Sequence, residues 1–127
     1  MNPSEFLDGG TVIVAPETYA VLTTDRPVDD AFATVQDGTE TTVVAVAGQV
    51  PEEYVLDAEP GWRRLTFDAT LPFELVGFLA AVATALARVD VSIFALSSYS
   101  TDHVLVKDTD LERATEALEA LGCRVRD

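Results

Sequence analysis

From Trp62 to Arg126 the sequence alternates between two periodicities, and this alternation limits the possible folds more than any other feature. "WRRLTFDA" (62–69) reads as a strand, rich in β-formers and ended by turn chemistry. "PFELVGFLAAVATALARV" (72–89) then reads as a helix whose apolar residues cover nearly its whole circumference, with Glu74, Thr84 and Arg88 as the main polar breaks. Such a helix needs cover on two sides, one from a sheet and the other from the N-terminal half or a partner subunit. Strands at 91–97 and 103–107 follow, joined by a short polar turn. A second helix carries signals at both ends: Thr109 with Glu112 spells a capping box, and Gly122 suits a left-handed residue just past the C-terminus. Leu111, Ala114, Leu118 and Leu121 recur at helical spacing and would face the sheet, leaving Glu112, Glu116 and Glu119 to water. "CRVR" (123–126) reads as a last strand.

The order of this half is therefore β-α-β-β-α-β, which predicts an α+β, ferredoxin-like arrangement with an antiparallel sheet and both helices on one face. The first half differs. "YAVLTT" (19–24), "AFATVQ" (31–36) and "TTVVAVAG" (41–48) read as strands separated by "DRPVDD" and "DGTE", and no long helical period precedes residue 70. Single helical turns are expected at 27–31 and 50–54, each behind a proline. "EPG" (59–61) punctuates the chain, so the expected division is 1–60, a mostly β half, and 61–127.

Charge narrows the function classes. The chain carries 22 acidic and 8 basic residues, a formal net charge of −14, and Lys107 is its only lysine. Such a surface repels phosphate backbones and anionic headgroups, which argues against nucleic-acid and membrane partners. The same composition suits a cytoplasm of high ionic strength, so a halophilic, cytoplasmic protein is expected. "MNPSEFLDGG" has neither the basic nor the apolar region of a signal peptide, and no apolar run is long enough to span a bilayer. Cys123 and His103 are the single cysteine and histidine, too few for a structural zinc site or an internal disulfide, and no metal or cofactor is expected.

Two polar features invite a site. In "SSYSTDH" (97–103) every side-chain type of a hydrolytic triad occurs within seven positions. Neighbours on a strand point to opposite faces, so Asp102 and His103 cannot both approach one serine, and no G-x-S-x-G elbow is present. Covalent catalysis is therefore not expected. The second feature is "LPFELVGF", where Gly77 lets a ligand approach backbone N–H groups that a helix start leaves unpaired. A carboxylate or phosphate fits such a place.

The passage "LVGFLAAVATALARVDVSIFALSS" resembles the signature of ACT domains: a glycine after the first strand, two large apolar residues and Ala, a Leu-Ala pair one helix length later, and an apolar-polar-Ile entry into the next strand. Residues 61–122 resemble in particular the small tandem-ACT branch related to the ACT domains of the cytosolic arginine sensor, in which the first half is an abbreviated ACT domain. The resemblance implies a non-catalytic regulatory module that binds a small ligand, an amino acid by class, at an ACT–ACT interface. The alternative is a dimerisation or docking module with a vestigial site. By the same resemblance the ligand-contacting residues map to Glu74, Leu75, Val76, Gly77 and Phe78 in the first loop and to Ser98, Tyr99 and Asp102 at the strand ends. Two positions depart from the family pattern: Val76 stands where Pro is usual, and Asp90 replaces the usual Gly before the second strand, where it would need a left-handed conformation. An amino acid needs bare N–H groups for its carboxylate and a carboxylate or carbonyls for its cationic end. Gly77 and Phe78 would supply the first and Asp102 the second, which favours a cationic amino acid.

The apolar helix predicts a homodimer. The net charge predicts that melting temperature rises with added KCl, because the Debye length shrinks from about 30 Å at 0.01 M to about 3 Å at 1 M salt and screens self-repulsion. A melting series in KCl checks this, and a flat response would assign the acidic surface to solubility alone.

Overall fold

The computed structural model describes residues Met1–Asp127. Seven strands and three helices follow in the order α1 (Ser4–Leu7), β1 (Thr11–Thr24), β2 (Ala33–Gln36), β3 (Thr41–Val46), β4 (Val55–Phe67), α2 (Phe78–Arg88), β5 (Ile93–Ser97), β6 (Asp102–Lys107), α3 (Leu111–Ala120) and β7 (Arg124–Arg126). The chain forms two compact units, residues 1–16 with 63–127 and residues 17–62. The expected division at residue 60 differs from this chiefly at the N-terminus, because β1 begins among the residues of the larger unit.

In the larger unit the strand order is β7-β1-β4-β6-β5. Pairing of β5 with β6 is antiparallel, from Ile93 opposite Val106 to Ser97 opposite Asp102. β7 pairs with β1 in parallel, Thr11 opposite Arg124 and Ile13 opposite Arg126. The start of β1 thus stands between the last strand and β4, one strand more than the βαββαβ pattern anticipates. Alternation puts Val12 and Val14 of β1, Leu65 and Phe67 of β4, and Val104 and Val106 of β6 on one face, where they pack with Phe78, Val82 and Leu86 of α2 and with Ala114 and Leu118 of α3. Both helices therefore cover the same face, as the pattern predicts. Cys123 belongs to this core, and burial pushes its thiol pKa up.

Three local expectations need correction. The apolar pattern at 72–89 predicts a helix throughout, but α2 starts at Phe78, because Gly77 sits at φ 89° and ends the preceding loop in a left-handed conformation. Phe73 and Val76 consequently lie in an exposed loop. On α2 itself only Phe78, Val82 and Leu86 are buried, and the outward positions include the small Ala80, Thr84 and Ala87. Methyl groups there ask for little cover, so the helix does not itself require a second apolar layer. The capping box is absent: Thr109 lies within a single 3₁₀ turn, Asp108–Asp110, and α3 starts at Leu111 with no side-chain cap. Arg113 fastens that end instead, pairing with Asp110 and donating to the Val89 carbonyl at 2.8 Å. Finally, "EPG" does not interrupt the strand. β4 runs through it with a kink at Gly61, φ 83°.

Other signals agree with the structure. Asp90 takes φ 61° in place of glycine. At the end of α3, Gly122 N donates to Glu119 O at 2.9 Å and Cys123 N to Leu118 O at 3.1 Å, the paired bonds of a Schellman ending.

The regular structure of the smaller unit is strand but for one 3₁₀ turn at Glu52–Tyr54, where a helical turn is expected; no helical turn forms at 27–31. β3 pairs antiparallel with both β1 and β2. Ala20, Leu22, Val43 and Ala45 make its buried cluster.

Gly122 sits at φ 102°, and a Cβ there would lie 2.8 Å from Asp8 Oδ1 and 3.1 Å from Asp8 Cα. Gly122→Ala is expected to lower stability by about 1–2 kcal/mol from the left-handed conformation alone, read as a reduced urea midpoint with an unchanged slope.

Candidate ligand-binding cleft

The cleft lies within the larger unit, between the loop that leads into α2 and the turn joining β5 to β6, and encloses about 360 Å³. Its helix wall is made by Gly77, Phe78, Leu79 and Ala80, and its turn wall by Ser97–Asp102. The first intrahelical bond of α2 is Ala81 N to Gly77 O at 3.0 Å, and no side chain caps the start. The N–H groups of the first turn are therefore unclaimed, with the positive end of the helix dipole behind them.

Two hydrogen bonds tie the turn to the rest of the cleft and a third closes the turn on itself. Leu71 N donates to Ser100 O at 2.7 Å, Thr101 Oγ1 to Phe67 O at 2.7 Å, and Ser98 N closes the turn on Thr101 O at 2.9 Å. Phe67 in turn packs edge-on against Phe78, centroids 5.0 Å apart, and so links the sheet to the head of α2. At the mouth, Phe73 from the loop and Tyr99 from the turn make a second edge-on pair at 5.0 Å, although they are 73% and 82% exposed.

Of the residues the resemblance points to, Leu75, Gly77, Phe78, Ser98, Tyr99 and Asp102 line this one cleft. Glu74 and Val76 do not; Val76 is 81% exposed. Asp102 accepts a hydrogen bond from Ser97 Oγ at 2.6 Å through Oδ1, so part of the carboxylate braces the hairpin. Thr101, Phe73 and Leu71 were not legible as wall residues, since only the pairing of loop and turn brings them together.

His103 points to the other face of the sheet. Its Nδ1 lies 2.8 Å from Thr66 Oγ1 and its Nε2 3.1 Å from Ser98 Oγ. Arg64 Nη1 donates to Thr66 Oγ1 at 2.6 Å, and Ser98 Oγ donates to Thr101 O at 3.1 Å. A carbonyl only accepts, so Ser98 gives its hydrogen to Thr101 O and the bond between Ser98 and the ring takes its hydrogen from Nε2. In the neutral imidazole the proton is therefore on Nε2, and Nδ1 accepts from Thr66. That orientation opposes catalysis, because a base activating Ser98 would have to accept through Nε2. Asp102 bonds Ser97 instead, as strand alternation requires. No group of three or more metal-ligating side chains occurs, and no helix is long and apolar enough to cross a membrane.

A family model for the ACT domain matches residues 57–120, half of the chain. The chain belongs to the ACT-domain family. ACT domains are regulatory modules that bind amino acids. Among solved structures, this ACT protein is similar to a protein from Agrobacterium tumefaciens, at 21% identity over 92% of both chains with a TM-score of 0.79. It is also similar to a protein of unknown function from Vibrio cholerae, described as a possible transport protein, at 23% identity over 94% of both chains with a TM-score of 0.75. The regulatory subunit of aspartate kinase from Thermus thermophilus follows the same fold, with 11% identity, 91% of this chain and 98% of that one covered, and a TM-score of 0.65. No curated protein matches the chain in sequence.

Burial, and next the Arg64 guanidinium, hold the His103 pKa below its usual 6.5, with Asp102 opposing them. Between the folded value and about 6.5 the unfolded chain binds more protons, so stability should fall as pH drops through that window. Denaturant midpoints from pH 7.5 to 5 check the sign, and His103→Gln should flatten the response.

Proposed function

We propose that this ACT protein is a non-catalytic regulatory module whose cleft takes a free amino acid, carboxylate on the first-turn N–H groups of α2 and cationic end towards Asp102. The observation that carries the reading is the uncapped start of α2, opening into a cleft whose facing wall holds Asp102 and Ser97. A helix start favours an anion, and a carboxylate across from it favours a cation, so the two walls suit the two ends of a zwitterion. One oxygen of Asp102 accepts from Ser97, and the other has no protein partner. The net charge of −14 and the likeness of residues 61–122 to the arginine-sensor branch both favour a basic ligand.

Residues 17–62 are read as an abbreviated ACT-like half, and the working unit as a homodimer that brings a second ACT surface to the cleft mouth. The exposed Phe73 and Tyr99 at that mouth, with Val76 exposed on the same loop as Phe73, also suit a second reading, in which the face serves only dimerisation or docking and the cleft is vestigial.

Thermal-shift measurements with each of the twenty amino acids in molar KCl separate the two. A ligand at 100 times its Kd should add about 2.7 kcal/mol of stability. Asp102→Asn keeps the shape and removes the charge, and by calorimetry it should cost a cationic amino acid about 1.5–3 kcal/mol and a neutral one much less. Absence of any shift across the twenty, with a stable dimer in light scattering, would favour the docking reading.

A further inference from the structure

We propose that β5 is the edge on which two copies of the chain join: the strands pair antiparallel, with Ala95 opposite Ala95 across a two-fold axis. The inference rests on the reading of the working unit as a homodimer and gives that dimer a surface and a register.

β5 is the outermost strand beside β6. Ser98 N donates to Thr101 O at 2.9 Å, and bonded pairs alternate along two antiparallel strands, so Leu96 exchanges bonds with His103 and Phe94 with Leu105. The N–H and C=O groups of Ile93, Ala95 and Ser97 therefore point away from β6, towards the open edge. A second β5, turned about Ala95, presents the same three residues. Ala95 meets Ala95, and Ile93 of each copy meets Ser97 of the other, all as bonded pairs. The side chains raise no obstacle, because Ala95 is small and, like Ser97, exposed.

Charge decides the occupant. Charged residues make up 24% of the chain, yet none occurs from Val91 to Thr101. The strands at the other ends of the sheet are guarded: β7 carries Arg124 and Arg126, and β2 is 4 residues long and followed by Asp37. A basic segment drawn by the net charge of −14 would find no carboxylate along β5. A second copy approaches there without setting like charge on like, and the repulsion left between the two chains is the long-range part that salt screens. The pairing also adds to the surroundings of the cleft, since Ser97 begins its turn wall and the second copy's chain runs from Ile93 back towards Asp90 along that side.

Light scattering in molar KCl should give the mass of a dimer, and the dimer fraction should fall as KCl is removed. Hydrogen exchange reads the register. In the dimer the amides of Ile93, Ala95 and Ser97 should be protected, and dilution should release them while those of Phe94 and Leu96, bonded to β6, stay protected. Ala95→Pro removes an outward N–H and leaves the pairing with β6 in place; it should scatter as a monomer with Phe94 and Leu96 still protected. Ala95→Asp, at an exposed position, sets two carboxylates face to face and should also weaken the dimer, most at low salt. A dimer whose three outward amides exchange freely, or one that both variants leave intact, would overturn the inference and keep the homodimer; a monomer in molar KCl would overturn both. No amino acid enters these measurements, so a failed ligand screen would leave the pairing standing.

Discussion

The packing of Phe78 on Phe67 is the interaction on which the site depends. It sets the head of α2 over the end of β4, and every wall of the cleft is referred to that point. Phe67 contributes in two ways: its ring anchors the helix and its carbonyl receives Thr101. The turn and the helix start are thereby tied to the same residue of the same strand. Gly77 completes the arrangement, since its left-handed conformation turns the loop sharply enough for the helix to begin on the core residue Phe78.

From this constraint follows a division of labour across the sheet. The face under the helices is dry and apolar, built from valine, leucine and phenylalanine on three neighbouring strands. At the strand ends the opposite face carries a string of hydrogen bonds, Arg64, Thr66, His103 and Ser98, that ends in the turn. The residue types of a triad are present but are distributed to the two faces by the pleat. Ser97 and Asp102 meet on one side and Ser98 and His103 on the other. A cluster that looks reactive as a string of letters becomes two separate structural braces.

The C-terminal architecture was legible because its signals are local. Period-2 runs gave β5, β6 and β7, the spacing of Leu111, Ala114, Leu118 and Leu121 gave α3, and Gly122 gave its end. Errors came where a local signal was outweighed. The capping box at Thr109 lost to a 3₁₀ turn and the Arg113–Asp110 pair. The helix pattern at 72–77 lost to the conformation of Gly77, because apolar composition does not distinguish a helix turn from a loop folded over a cleft. "EPG" lost to strand pairing, which absorbs a kink that looks like a stop in one dimension.

The sequence by itself determined the alternation of elements in the C-terminal half, the buried face of α3, the acidic surface and the family motif around Gly77, since all of these reside in neighbouring residues and their periodicity. Only the tertiary structure decided that β1 stands beside β7, that Leu75, Gly77 and Phe78 share one cleft with Ser98, Tyr99 and Asp102, and that Thr66 completes the setting of His103. Those are pairings between segments far apart in the chain. They depend on register and on which strand edge is free, and periodicity within one segment carries no information about either.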